Sequence, residues 1–93
     1  MRSGGNGRIV GMVFFTKHAI DKLRRNDIKK FQITKQLLVK IVQNRQSQTK
    51  TKYGEYATVS PLGKSHDLRV IYDIIEKDVK VITFHIAKRG RYL

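Results

Sequence analysis

Two alternating runs constrain this chain more than any other feature. Leu68, Val70, Tyr72 and Ile74 alternate with Arg69, Ile71, Asp73 and Ile75, and after Glu76-Lys77-Asp78 a second run, Val79 to Ala87, is rich in β-branched residues. Period-two alternation on both sides of a polar turn predicts an antiparallel β-hairpin. A three-residue loop pairs residues whose numbers sum to 154, which opposes Leu68 to Ile86, Val70 to Phe84 and Tyr72 to Ile82. Directly opposed residues share a face, so this register gives one continuous apolar face. The other face then carries Arg69 opposite His85, Ile71 opposite Thr83 and Asp73 opposite Val81. A loop one residue longer or shorter would mix Arg69 and Asp73 with the large apolar residues.

Helices must cover that apolar face, and two patterns precede the hairpin. Thr16 is a candidate cap for a helix over residues 17–26, with Ala19, Ile20 and Leu23 on one side and Arg24 and Arg25 in the last turn, where cations suit the helix dipole. Thr34 caps a second pattern running to about Gln46, in which Leu37, Leu38, Ile41 and Val42 form one stripe and Lys35, Lys40 and Arg45 face away. Residues 44–52 hold no apolar residue and read as a basic loop. Tyr53 to Ser60 is a third strand candidate, closed by a turn over Pro61 to Ser65. Four of the seven glycines fall in residues 1–11, which read as a flexible leader, so residues 12–93 are expected to form a single α+β domain. The expected architecture is two N-terminal helices on one face of a small, mainly antiparallel sheet of three to four strands.

Charge narrows the partners. Twenty Lys and Arg against seven Asp and Glu give +13 on 93 residues. Such self-repulsion is relieved by a polyanion, and nucleic acid or an anionic membrane are the usual ones. No stretch approaches the roughly 20 apolar residues of a membrane span, and without cysteine there is no disulfide framework, thiolate metal site or Cys nucleophile. A cytoplasmic protein is the reading that follows. Residues 16–53 hold eleven basic and two acidic side chains, net +9, whereas residues 64–93 hold seven and four, net +3. A second basic cluster, Lys88, Arg89 and Arg91, lies beside Tyr92 just after the last strand.

Cleavage of RNA by its own 2′-hydroxyl needs a proton acceptor, a proton donor and cations around the phosphate, but no metal ion. Arg69, Arg89 and Arg91 are candidate phosphate clamps, since guanidinium forks match two oxygens at once. His85, His18 and Tyr92 are candidate proton carriers. His18, His66 and His85 fall on three separate elements, an unpromising arrangement for zinc, and no phosphate-loop or dinucleotide motif is present. No cofactor is implied. Each assignment has a structural counterpart: Arg69 in a surface ion pair with Asp73 or Glu55, His18 packed against the sheet, His85 as a plain strand-face residue. Tyr72 is assigned to the core.

The block His66-Asp-Leu-Arg-Val-Ile-Tyr-Asp73, a short turn, then Val79-Lys-Val-Ile-Thr-Phe-His-Ile-Ala-Lys-Arg-Gly-Arg-Tyr92, resembles the closing half of the RelE/ParE toxin superfamily. Phe15-Thr-Lys-His-Ala19 is similar to the T-x-H-A opening of a subgroup of small proteins in that superfamily, whose chains end R-G-R-Y. The resemblance implies a toxin of a toxin–antitoxin pair, in the RelE branch a metal-independent endoribonuclease acting on mRNA, commonly on the ribosome, with a small acidic antitoxin as partner. By position, Arg69 and Arg89 match phosphate-binding arginines and Tyr92 matches a terminal tyrosine placed for stacking or proton transfer. No lysine matches the family's base by position, and Lys17, Lys22, Lys50 and Lys52 are stand-ins. Many relatives carry a further first strand, which Val10 to Phe15 would supply.

Nucleic-acid contacts are expected from Lys17, Arg24, Arg25, Lys50, Lys52, Lys88 and Arg91. Two other classes stay open. One is a nucleic-acid-binding protein without chemistry, although the seven-residue Asp27 to Ile33 connection is long for a helix-turn-helix. The other is a protein that acts through protein contacts, as the gyrase-poisoning ParE branch does.

Overall fold

The structure, a computed structural model, describes residues 11–45 and 47–88. Among these the chain forms β1 (Val13–Phe15), α1 (Lys17–Leu23), α2 (Asn26–Lys29), α3 (Lys35–Gln43), β2 (Thr49–Lys50), β3 (Tyr56–Leu62), β4 (His66–Ile75) and β5 (Asp78–Lys88). The strands make one mixed sheet in the order β1-β5-β4-β3-β2, with β1 parallel to β5 and the other pairs antiparallel. The α+β class read from the sequence holds, with five strands rather than three or four and three helices rather than two. The additional elements are short. Asn26–Lys29, with Asn26 expected to end the first helix and the rest to be connection, form one helical turn, and Thr49–Lys50, expected as loop, pair with Ala57 and Tyr56. The helices are also shorter than their patterns implied, ending at Leu23 and Gln43. The third strand runs on through Pro61, which lies past the short β2 on an unpaired edge where proline is tolerated. The predicted leader lies outside the described residues except for Gly11. That glycine donates to Lys77 O (2.7 Å), and a Cβ there would collide with the Asp78 carboxylate.

Both predicted helix caps are made. Thr16 Oγ1 accepts from Ala19 N–H (3.1 Å) and Thr34 Oγ1 from Leu37 N–H (3.2 Å), each satisfying one of the amides a helix start leaves orphaned. Ala19, Ile28, Ile33, Leu38 and Val42 join Leu68, Val70, Tyr72, Val79, Val81 and Phe84 in one buried cluster. Tyr72 is fully buried and keeps its hydroxyl satisfied by donating to Gln48 Oε1 (2.7 Å), while Tyr56 stacks on its ring at 6.0 Å. Removing Phe84 and Leu68 from water contributes roughly 1.5–3 kcal/mol each.

The hairpin departs from the predicted register in an informative way. From His66–Lys88 to Ile71–Thr83 the paired numbers sum to 154, as expected, but from Tyr72–Val81 to Ile75–Asp78 they sum to 153. The loop therefore has two residues, Glu76 and Lys77, and Ile82 is an extra residue forming a β-bulge. Val81, rather than Ile82, opposes Tyr72 in the core, and Asp73 faces Lys80 rather than Val81. Glu76 takes a positive φ of 58°, the cost of closing so tight a turn without glycine.

Candidate functional site

The bulge determines where α1 sits, and α1 builds the site. β1 pairs with β5 only as far as Val81, so beyond that residue the outer edge of β5 is open. Thr16 closes the first part of it. Its N–H donates to Val81 O (3.0 Å) and its hydroxyl to the carbonyl of the bulged Ile82 (2.8 Å), while the same oxygen caps α1. The helix is thereby launched along the open edge. Lys22, one and a half turns on, reaches the next outward carbonyl and donates Nζ to Phe84 O, lying 5.3 Å from the centroid of the Phe84 ring.

That placement brings Lys22 Nζ to 3.4 Å from His85 Nδ1. Across the ladder His85 faces Arg69, as the sequence register required. The imidazole pKa is lowered from its ordinary value, first by desolvation and then by the charges of Lys22, Arg69 and His18. The Lys22 ammonium is lowered in turn, by desolvation first and by Arg25 next, with Asp27 opposing. Two proton-transfer groups are thus both pushed towards their neutral forms at one place, a frequent mark of a functional site.

Two cavities meet at His85. One, of about 800 Å³, is lined by Lys22, Arg25, Lys30, His66, Lys88 and apolar residues including Phe31 and Ile86, with Asp27 the one acid among the described residues that line it. The other, of about 590 Å³, lies between the turn after β2 and the face of the sheet, and includes Lys50, Lys52, Tyr53 and Arg69. Among the described residues no three His, Cys, Asp or Glu side chains converge as metal ligands, and no helix is long and apolar enough to cross a membrane.

The expected site residues divide by place. His85, Arg69 and His18 share one electrostatic neighbourhood, with His18 exposed on α1 rather than packed against the sheet. Arg25 and Lys88 line the larger cavity and Lys50 and Lys52 the smaller. Arg25 is also held by Asp27 in a two-pronged pair (2.8 and 3.1 Å), and its charge is reinforced by that hydrogen bond. Lys17 lies apart in an exposed ion pair with Asp21 at 3.5 Å, and Arg24 caps the C-terminus of α1 without lining either cavity. Arg89, Arg91 and Tyr92 lie outside the described residues. Lys22 is one of the four lysines that the sequence offered as stand-ins for the family's base. Its amphipathic spacing was visible, but its position beside His85 follows from the Thr16 latch on the bulge.

Comparison with protein-family models, curated proteins and solved structures returns no match.

Proposed function

We propose that this protein is a RelE-like, metal-independent endoribonuclease of a toxin–antitoxin pair, acting on mRNA at the Arg69–His85–Lys22 constellation. The observation that carries the reading is the 3.4 Å approach of Lys22 to His85 opposite Arg69, with the histidine pKa depressed. A ring held neutral near pH 7 can accept the proton of a 2′-hydroxyl. The 2′-oxygen then attacks phosphorus, the P–O5′ bond breaks, and a 2′,3′-cyclic phosphate forms. Arg69 stabilises the charge gathering on the phosphoryl oxygens. Lys22, its pKa drawn down, is the nearby acid for the departing 5′-oxygen. Arg25, Lys30 and Lys88 supply the approach for the strand, and a net charge of +13 suits both RNA and a small acidic antitoxin.

The test is purified protein with mRNA, with and without ribosomes and in the presence of chelator, beside an Arg69→Ala/Arg89→Ala variant. Chelator-resistant cleavage that the variant loses is the expected result. RNA that stays intact but is bound in a salt-sensitive way would assign the site to binding without chemistry. Intact, unbound RNA would instead favour action through protein contacts, as in the ParE branch.

A further inference from the structure

The smaller cavity has an exposed aromatic wall. Tyr53 stands 77% exposed on the turn after β2, the most exposed of the large apolar and aromatic side chains among the described residues. The turn is tightly made: Thr51 N–H donates to Glu55 O (2.7 Å), Gly54 N–H to Thr51 O (3.1 Å) and Tyr53 N–H to Thr51 Oγ1 (3.2 Å). Gly54 permits it with a φ of +96°, which a side chain would resist. Lys52 lies 5.2 Å from the centroid of the Tyr53 ring. An aromatic ring is thus presented to solvent by a braced turn and flanked by lysines, at the rim of a cavity that also holds Arg69 and His85.

We propose that this cavity is a nucleobase subsite for single-stranded nucleic acid, in which an unpaired base stacks on Tyr53 while its adjoining phosphate lies by Arg69 and His85. The inference deepens the nuclease reading and rests on it for the placement of the phosphate. An exposed aromatic beside cations is the arrangement that binds bases without demanding their identity, since every base offers a π-face. A lipid headgroup or a small anion would use the lysines and leave the ring without a role. Paired bases cannot enter, so the subsite selects unpaired strands.

Binding is read on a fully 2′-O-methylated RNA heptamer, which cannot be cleaved because its 2′-oxygen carries no proton and is a blocked nucleophile. 2-Aminopurine is moved through its positions. The full chain is expected to quench the probe at one position, and Tyr53→Ala to abolish the quenching and weaken binding about 5- to 150-fold, the range of base–aromatic stacking. Tyr53→Phe keeps the ring and should keep both signals. Affinity within about twofold of the parent in Tyr53→Ala, with quenching retained, would overturn the subsite. So would equal losses in Tyr53→Phe and Tyr53→Ala, which would assign the effect to the hydroxyl. Failure of the nuclease reading looks different: normal RNA stays intact while Tyr53-dependent quenching persists, and that outcome keeps the subsite as a binding site.

Discussion

The two ends of the β4–β5 hairpin are built from the same two strands and have different characters. At the turn end β5 is covered by β1, the pairing sums to 153, and apolar Met12, Phe14 and Ile75 stand exposed beside the charged turn residues Glu76 and Lys77. At the open end β1 has stopped, the sum is 154, and α1 lies along the bare edge with Lys22 against Phe84 and His85. One inserted residue, Ile82, separates them. The site is made by an interruption of the edge strand. Where a neighbouring strand covers the edge, carbonyls of β5 are used up in a ladder. Where it does not, a hydroxyl and an ammonium take them, and the ammonium brings charge to a histidine.

The comparison can be broken most directly at its polar end. Arg69→Ala and His85→Ala should each reduce RNA cleavage by at least about 100-fold with unchanged circular dichroism, the loss expected when a phosphate cation or a general base is removed. Lys80→Ala, at the turn end, should leave the rate alone. Equal losses at the two ends would mean that net charge, not the constellation, drives the reaction.

A smaller effect is expected at the joint between the ends. Thr16→Ala removes both the α1 cap and the hydroxyl on the Ile82 carbonyl, and should cost about 1–2 kcal/mol in urea unfolding. Thr16→Ser, which keeps both bonds, should recover most of it. Phe14→Ser at the turn end should cost about 0.7–1.5 kcal/mol, because only about half of that ring is withdrawn from water. Glu76→Gly should stabilise by about 0.5–1 kcal/mol, since a positive φ suits glycine and strains glutamate.

The smallest signal sharpens the electrostatics. The folded His85 binds its proton less readily than an unfolded imidazole, which titrates near 6.5. The unfolded chain therefore takes up more protons as pH falls, so this contribution to stability is complete above about 6.5 and is lost on descending through the folded pKa. Urea midpoints of the parent should decline over that interval more than those of His85→Gln. Lys22→Met removes one of the charges depressing the ring, so the His85 titration followed by NMR should move to higher pH. An unmoved titration would show that His85 does not sense Lys22.

Part of the bulge was legible in the sequence. Along β4 the core residues Leu68, Val70, Tyr72 and Ile74 keep even numbers, but along β5 Val79 and Val81 are odd whereas Phe84 and Ile86 are even. A single register cannot bury both pairs. The phase change between Val81 and Phe84 calls for one extra residue there, with a two-residue turn at Glu76-Lys77. A three-residue loop hid this by keeping Arg69 opposite His85, the pairing that matters most for the site, while misplacing Ile82. The short α2 and β2 gave no comparable signal, because four and two residues are too few to show a period and are held by the neighbours they pack against.

Sequence alone determined the elements whose causes are local. Thr16 and Thr34 cap the helices they precede, and alternation puts Leu68, Val70 and Tyr72 on one face. Only the tertiary structure decided that Lys22 meets His85, 63 residues away along the chain, and that Tyr53 stands at the rim of the same region. The physical reason is that periodicity and capping act over a few residues. Which side chains meet across a sheet edge depends instead on where β1 ends, on one bulge and on the helix fastened to it.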